Sequence, residues 1–274
     1  MNYLVKEMIR IAIQEDLGHS DVTSLLIVPE DITVNARIIA KEDFIVAGIP
    51  FVREVFSCMG SSADIRFSSE DGRNVKKSDI IADIAGNARD ILACERIALN
   101  ILQRVSGIAT LTNSYVERVL GLPVRITDTR KTTPGMRALE KYGVRVGGGL
   151  NHRFGLYDGV LIKDNHIKVS GGIRKAVELA KMAHHLMKIE VEVKDTDELK
   201  EALDAGADII MLDNMSLSGM REAVEIVQGR VFLEASGNIS LENVREVAET
   251  GVDIISIGAL THSARSVDIS MKIV

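Results

Sequence analysis

The sequence predicts an α/β protein: a first part of alternating strands with a helix, then repeated strand–helix units that close into a barrel. Three observations carry this. From about residue 120 onward, strand, polar end and helix recur, the last three units roughly every 20 residues, and short βα connections imply a parallel sheet. Before that point the apolar residues alternate with period two, as in half-buried antiparallel strands. The chain is 46% hydrophobic but only 4% aromatic and has no Trp, so its core is built from Ile, Val, Leu, Ala and Met, which suits buried parallel strands.

In order along the chain, Leu4, Met8, Ile11 and Ala12 fall at helical spacing over residues 3–15, followed by a polar loop from Glu15 to Thr23. Ile32, Val34, Ala36 and Ile38 alternate with Thr33, Asn35 and Arg37 as a strand. Ala63, Ile65 and Phe67 alternate again before the turn Glu70-Asp71-Gly72, and residues 80–85 form another short apolar run. Together these make an open, mostly antiparallel α+β unit. Residues 90–120 read as helix with a soft point at Ser106-Gly107. Six strand cores follow at 124–127, 160–163, 189–193, 209–212, 231–234 and 254–257, with amphipathic helices at 173–187, 196–205, 218–228 and 240–250.

The strand ends carry the chemistry. In barrels they share one mouth, where active sites form. Here they read Asp128-Thr129-Arg130-Lys131, Lys163-Asp164-Asn165, Glu192, Asp213-Asn214, Glu234-Ala235-Ser236-Gly237 and Gly258-Ala259. Although the net charge is −6, the segment from Asp128 to His166 gathers Arg130, Lys131, Arg137, His152, Arg153 and Lys163 around the glycine triplet 147–149. A guanidinium fork matches carboxylates and phosphates, and a lysine adds a mobile point charge. The expected ligand is a small, highly charged anion. Glu192 and Asp213 end buried strands, and a carboxylate there needs a partner. Mg²⁺ would serve, since it commonly accompanies phosphates; an internal salt bridge to Lys131 or Lys163 is the alternative. Ser236-Gly237-Asn238 precedes the helix expected from near Ser240, and Gly258-Ala259 precedes the segment with Thr261-His262-Ser263; backbone N–H groups at such glycine turns suit an anion.

Composition excludes other classes. An acidic chain lacks the basic surface of a nucleic-acid binder. Charges at Lys6 and Glu7 come too early for a signal peptide, and no apolar run is long enough to span a bilayer. Cys58 and Cys94 imply two reduced thiols in cytoplasm rather than a disulfide framework. His184-His185 falls on a solvated helix face with no partner at metal spacing, and there is no Gly-x-Gly-x-x-Gly dinucleotide signature.

Several runs together resemble one family. They are Glu95-Arg96-Ile97-Ala98-Leu99-Asn100, Ser106-Gly107-Ile108-Ala109-Thr110, the Asp128–His166 segment, Glu190-Val191-Glu192-Val193, Met211-Leu212-Asp213-Asn214, Glu234-Ala235-Ser236-Gly237 and Leu260-Thr261-His262-Ser263. From about residue 15 to its end the chain resembles the quinolinate phosphoribosyltransferases, the carboxylating nicotinate-nucleotide pyrophosphorylases. Two positions depart from the usual pattern: Gly143 stands where Ala is commoner, and His19-Ser20 replaces a Gly-containing pair.

The resemblance implies an N-terminal α/β sandwich domain and a C-terminal incomplete six-stranded α/β barrel. The expected division is 1–104, with the tail 264–274 a candidate to join it, and 105–263. It also implies a reaction: quinolinate and 5-phosphoribosyl-1-diphosphate (PRPP) give nicotinate mononucleotide, diphosphate and CO2, with Mg²⁺ required. It implies at least a homodimer, with Arg96 supplied in trans. Arg130, His152, Arg153 and Lys163 would hold quinolinate. Lys131, Glu192 and Asp213 would serve PRPP and the metal, with Thr129 beside them; which carboxylate contacts Mg²⁺ stays open. Ser236-Gly237-Asn238 and Ile257-Gly258-Ala259 would cradle phosphates. Competing readings are a molybdenum-transport-associated paralogue, a Schiff-base aldolase using Lys131 or Lys163, and a non-catalytic anion-binding scaffold.

Overall fold

The computed structural model describes residues 3–183 and 186–274. His184 and His185, expected on a solvated helix face, lie outside the described residues. Strands β1 (Thr33–Ala40), β2 (Phe44–Ile45), β3 (Asp64–Phe67), β4 (Asn74–Val75) and β5 (Ile80–Asn87) come first. β6 (Arg125–Thr127), β7 (Val160–Ile162), β8 (Ile189–Val193), β9 (Ile209–Asp213), β10 (Phe232–Ser236) and β11 (Ile254–Ser256) follow, and β12 (Ile269–Ile273) ends the series.

The chain forms two compact units. The first comprises Met1–Thr112, Thr132–Gly148 and Leu260–Val274, so no single cut near residue 104 separates the two. Its sheet runs β12-β1-β5-β3, antiparallel throughout, and the C-terminal strand is therefore an edge of the N-terminal sheet. Ala36, Ile38 and Ala40 of β1 are buried, while the expected inward residue Ile32 is exposed just before the strand begins. Helices Tyr3–Leu17 and Ile49–Cys58 share one apolar core with the sheet. The second of these helices was not expected. It starts at Gly48, which adopts φ 116°, and Phe51, Val52, Val55 and Phe56 form its buried stripe.

Helix Ala88–Arg118 runs 31 residues without a break. Ile91, Cys94, Ala98, Leu102, Val105 and Ala109 recur every three or four residues along its buried face. The expected soft point at Ser106-Gly107 is therefore corrected. Gly107 is there for a close approach: a Cβ at that position would lie 2.0 Å from the Arg265 carbonyl oxygen. Ser106 is fully buried, and its Oγ accepts from Ala47 N (2.9 Å) and donates to Ala47 O (3.1 Å). Gly143, on the unexpected helix Arg137–Val146, likewise leaves room for Val105 O, which a Cβ would meet at 2.9 Å.

One buried ion pair organises the rest of this unit. Glu140 is fully buried and pairs with Arg104 at 2.7 Å. It also accepts from Thr133 N (3.0 Å) and Thr133 Oγ1 (2.9 Å), and Arg104 donates to the carbonyls of Thr261 and Ala264. A buried charge is tolerated when it is paired and hydrogen-bonded in this way. The network fixes the chain just beyond Lys131.

The second unit, Asn113–Lys131 with Gly149–Ala259, holds a six-stranded parallel sheet in the order β6-β11-β10-β9-β8-β7. β6 and β7 follow one another in the chain yet sit at opposite edges, so the α/β barrel is incomplete at that point. Leu150 extends the β6 edge by a bridge to Thr127. All six strands fall where the sequence predicts them, within about two residues. Helices Thr196–Ala205 and Leu217–Val227 follow suit, while Ile173–Ala183 starts as expected and stops short of residue 187. Asp195 caps Thr196–Ala205 through Asp197 N and Glu198 N, and Ser216 caps Leu217–Val227 through Gly219 N. The helix expected over 240–250 shrinks to Val244–Ala248: Asn243 Oδ1 accepts from Ser240 N (2.8 Å), which makes a turn where the helix was expected to start. Three further short helices, Val22–Ile27, Asp164–Ser170 and Ala259–His262, also lie outside the sequence expectation.

Alternation sets the chemistry of the barrel. Val191, Val193, Ile210, Leu212, Leu233, Ala235 and Ile255 are buried on the helix-facing side. The opposite face presents Glu190, Glu192, Met211, Asp213, Glu234, Ser236 and Ser256.

Candidate active site

Asp128 follows β6 and is fully buried. Its carboxylate accepts from His152 N at 2.8 Å and from Asn151 Nδ2 at 2.7 Å, which fixes the loop after the glycine triplet beside the strand end. Asp158 then accepts from Phe154 N (2.6 Å) and Gly155 N (2.8 Å) and turns the chain back. These two carboxylates place His152 and Arg153 next to Arg130. Arg153 donates to Gly159 O at 3.0 Å. Its guanidinium pKa is depressed, first by burial and then by the Arg130 charge. Two neighbouring, partly desolvated cations make an arrangement that an incoming anion relieves.

A cavity of about 540 Å³ opens at these strand ends. Of the expected residues it brings together Thr129, Arg130, Lys131, His152, Arg153, Lys163, Glu192, Asp213, Ser236, Gly237 and Asn238. Lys163 Nζ pairs with Glu192 Oε2, the internal salt bridge weighed from sequence. Asp213 accepts from Asn214 Nδ2 at 3.0 Å, and Asn214 Oδ1 accepts from Asn238 Nδ2 at 2.9 Å. Gly237 between them is obligatory: it adopts φ 95°, and a Cβ would sit 2.2 Å from Asn214 Oδ1.

Four expected residues are not part of the cavity lining. Ile257, Gly258 and Ala259 do not line the cavity, and Ile257 is buried. Arg96 is exposed on helix Ala88–Arg118, in the first unit. Arg137, part of the basic segment, donates to Thr132 Oγ1 at 2.8 Å and is also absent from the cavity wall.

The sequence reading assigned no role to Glu190 or Glu234. Both are buried, at 6% and 2% exposure. Glu190 Oε2 lies 3.0 Å from His152 Nε2, and Glu234 Oε2 lies 3.7 Å from the same atom. The available signal was period two: Glu190 must share a face with Glu192. Burial first, and the neighbouring Glu190 charge second, push the Glu234 carboxyl up to about 8.

The folded state thus keeps a proton that the unfolded chain gives up near pH 4.5. Stability fully present below that pH is lost as pH rises toward 8. Glu234→Gln mimics the protonated form and should remove this loss. Between pH 6 and 9 its unfolding free energy should gain about 2–3 kcal/mol relative to the parent. Urea unfolding at the two pH values checks it, and parallel curves for the two proteins would refute it.

A dense cation clamp facing carboxylates at the C-terminal strand ends of a βα barrel defines an enzyme class: one that brings anionic substrates together against their repulsion. The comparisons specify the class further. The N-terminal domain pattern of the quinolinate phosphoribosyl transferases matches residues 21–106, and the C-terminal domain pattern matches residues 108–272. A probable nicotinate-nucleotide pyrophosphorylase (carboxylating) of Bacillus subtilis is 44% identical over 275 residues, spanning 100% of this chain and 95% of the relative. The chloroplastic nicotinate-nucleotide pyrophosphorylase (carboxylating) of Arabidopsis thaliana is 42% identical over 291 residues, 99% of this chain and 83% of that one. The solved nicotinate-nucleotide pyrophosphorylase of Francisella tularensis matches with TM-score 0.95 at 42% identity, covering 99% of this chain and 96% of that one. The chain belongs to the quinolinate phosphoribosyl transferase family, and is thus a pentosyl-transferring enzyme.

Proposed function

We propose that the chain transfers the phosphoribosyl group of PRPP to the ring nitrogen of quinolinate, yielding nicotinate mononucleotide, diphosphate and CO2, the step that feeds de novo NAD synthesis. The observation that carries this reading is the adjacency of Arg130, His152 and Arg153 in one cavity with Glu192, Asp213 and the Gly237 turn.

Quinolinate is a dianion, and PRPP carries a phosphate and a diphosphate. Fixed cations around and between them offset a repulsion worth several kcal/mol. Arg130 and Arg153 offer forks to the carboxylates, with His152 and Lys163 beside them. Lys131 and the Ser236–Asn238 turn face the phosphates. As the ring nitrogen attacks the anomeric carbon, positive charge grows on the ribose, and Glu192 or Asp213 stabilises it. The positive charge on the quaternised nitrogen then stabilises the carbanion left at C2 when CO2 departs, and a proton taken from solvent completes the C2–H bond, so no decarboxylation cofactor is needed. Glu192 and Asp213 supply oxygen donors in the same wall of the cavity, a set that fits Mg²⁺. When bound, Mg²⁺ would neutralise charge on the departing diphosphate. Lys163 holds Glu192 as an ion pair meanwhile.

Self-association with Arg96 in trans is part of the proposal. Leu25, Leu26 and Ile27 on helix Val22–Ile27 are 51%, 79% and 73% exposed, an apolar surface that favours a partner. Cys58 and Cys94 are free thiols, in keeping with a cytoplasmic enzyme. Among the described residues no helix is long and apolar enough to cross a membrane.

The test is direct. Purified protein with quinolinate, PRPP and Mg²⁺ should release nicotinate mononucleotide and CO2 in equal amounts. Chelation by EDTA should abolish turnover, and added Mg²⁺ should restore it. Well-folded protein that makes no mononucleotide would overturn the reading.

A further inference from the structure

The barrel interior holds an acid pair that the mechanism above does not use. Glu190 on β8 and Glu234 on β10 reach across the intervening β9 toward the same ring nitrogen of His152. Glu190 Oε1 and Glu234 Oε1 are buried without a hydrogen-bond partner. Two buried carboxyls with unsatisfied oxygens are costly, and an apolar barrel layer would be cheaper. Their place under a histidine of the cavity wall calls for a role. Carboxyl oxygens of both residues face Nε2, at 3.0 and 3.7 Å, and a ring nitrogen set before two oxygens is placed to donate. The other end of the residue is equally fixed, since His152 N donates to the buried Asp128 at 2.8 Å. The ring is therefore held from its backbone and from its far nitrogen.

We infer that Glu190 and Glu234 are positioning residues for the dicarboxylate substrate, acting through His152: they lock its ring orientation with the proton on Nε2. A cation drawn to the same three groups is the rival occupant, since their ligand atoms lie within 4.8 Å of one another. The kinetic part of the inference rests on quinolinate being the substrate; the tautomer part does not.

The experiment joins both. In ¹⁵N-histidine-labelled protein, one of six histidines, identified by its loss in His152→Gln, should show a protonated Nε2 in the absence of substrate. In steady-state assays Glu190→Gln should raise the quinolinate KM about tenfold, the loss of one hydrogen bond that orients the ring. The PRPP KM should change by less than about twofold, as should the quinolinate KM when Glu190→Gln is added to His152→Gln. Glu234→Gln serves as the second variant if Glu190→Gln fails to fold by thermal unfolding. An unprotonated Nε2, equal rises in both KM values, a full Glu190→Gln effect in the His152→Gln background, or a stoichiometric metal kept by the purified parent and lost in Glu190→Gln would each overturn the inference. Absence of all turnover would count against the substrate reading instead, and the ring spectrum would still decide the tautomer.

Discussion

Arg96→Ala and Glu192→Ala are each expected to lose at least about 10³ in kcat/KM, as when a fixed transition-state charge is removed. A one-to-one mixture of the two should recover activity. Random reassortment makes half of the dimers mixed, and one of the two sites in each mixed dimer is intact, so recovery should approach about a quarter of the parent. The expectation rests on position and charge. Arg96 is an exposed cation on helix Ala88–Arg118, in a different unit from the cavity, and contributes nothing to the cavity wall. A second chain can deliver such a group to a site crowded with anions. Glu192 lies in that wall, paired with Lys163, and belongs to the chain that owns the site. Activity measured after denaturation and joint refolding, with heterodimers verified by differential tagging, decides the matter. Heterodimers without recovery would place Arg96 in its own subunit's chemistry.

The barrel was legible because its pattern is local. A run such as Ile209-Ile210-Met211-Leu212 ending in Asp213 announces both a strand and the polar end that the βα arrangement turns toward the mouth. The cations of the Asp128–His166 segment were legible for the same reason, as charge set between compact turns. What escaped depends on contacts between distant residues. Gly107 looks like a helix breaker until Arg265 O is seen filling the space a side chain would need. β12 has meaning only beside β1, more than 200 residues earlier in the chain. Helix Ile49–Cys58 was missed although its stripe of Phe51, Val52, Val55 and Phe56 could have been read from the sequence. Glu190 and Glu234 stand inside runs that read as strand, and their burial emerges only when the strands are assembled. A carboxylate inside a strand core is a stronger signal than one at its end, because burial makes it costlier to keep.

Arg130→Ala should lower kcat/KM for quinolinate by about 10³ while the PRPP KM stays within about threefold. Arg130→Lys should recover only a small part of this, because a point charge cannot replace a two-pronged fork on a carboxylate. Arg130→Ala should leave the ligand-free protein at least as stable as the parent. Burial first and the Arg130 charge second depress the guanidinium pKa of Arg153, so the two cations repel each other in the ligand-free protein. Removing one cation relieves it, so Arg130→Ala should melt no earlier than the parent without ligand and lose the upward shift that quinolinate gives the parent. Thermal unfolding with and without quinolinate separates the two effects. A variant that melts several degrees early without ligand would mean that Arg130 holds the strand end together and is more than a clamp. Equal thermal shifts in variant and parent would mean that the dicarboxylate is gripped elsewhere. The expected opposition follows from what the site must do. Cations placed close enough to seize a dianion destabilise one another until it arrives, and the binding energy they then release is available for catalysis only because the fold, through Asp128 and Asp158, does not let them move apart.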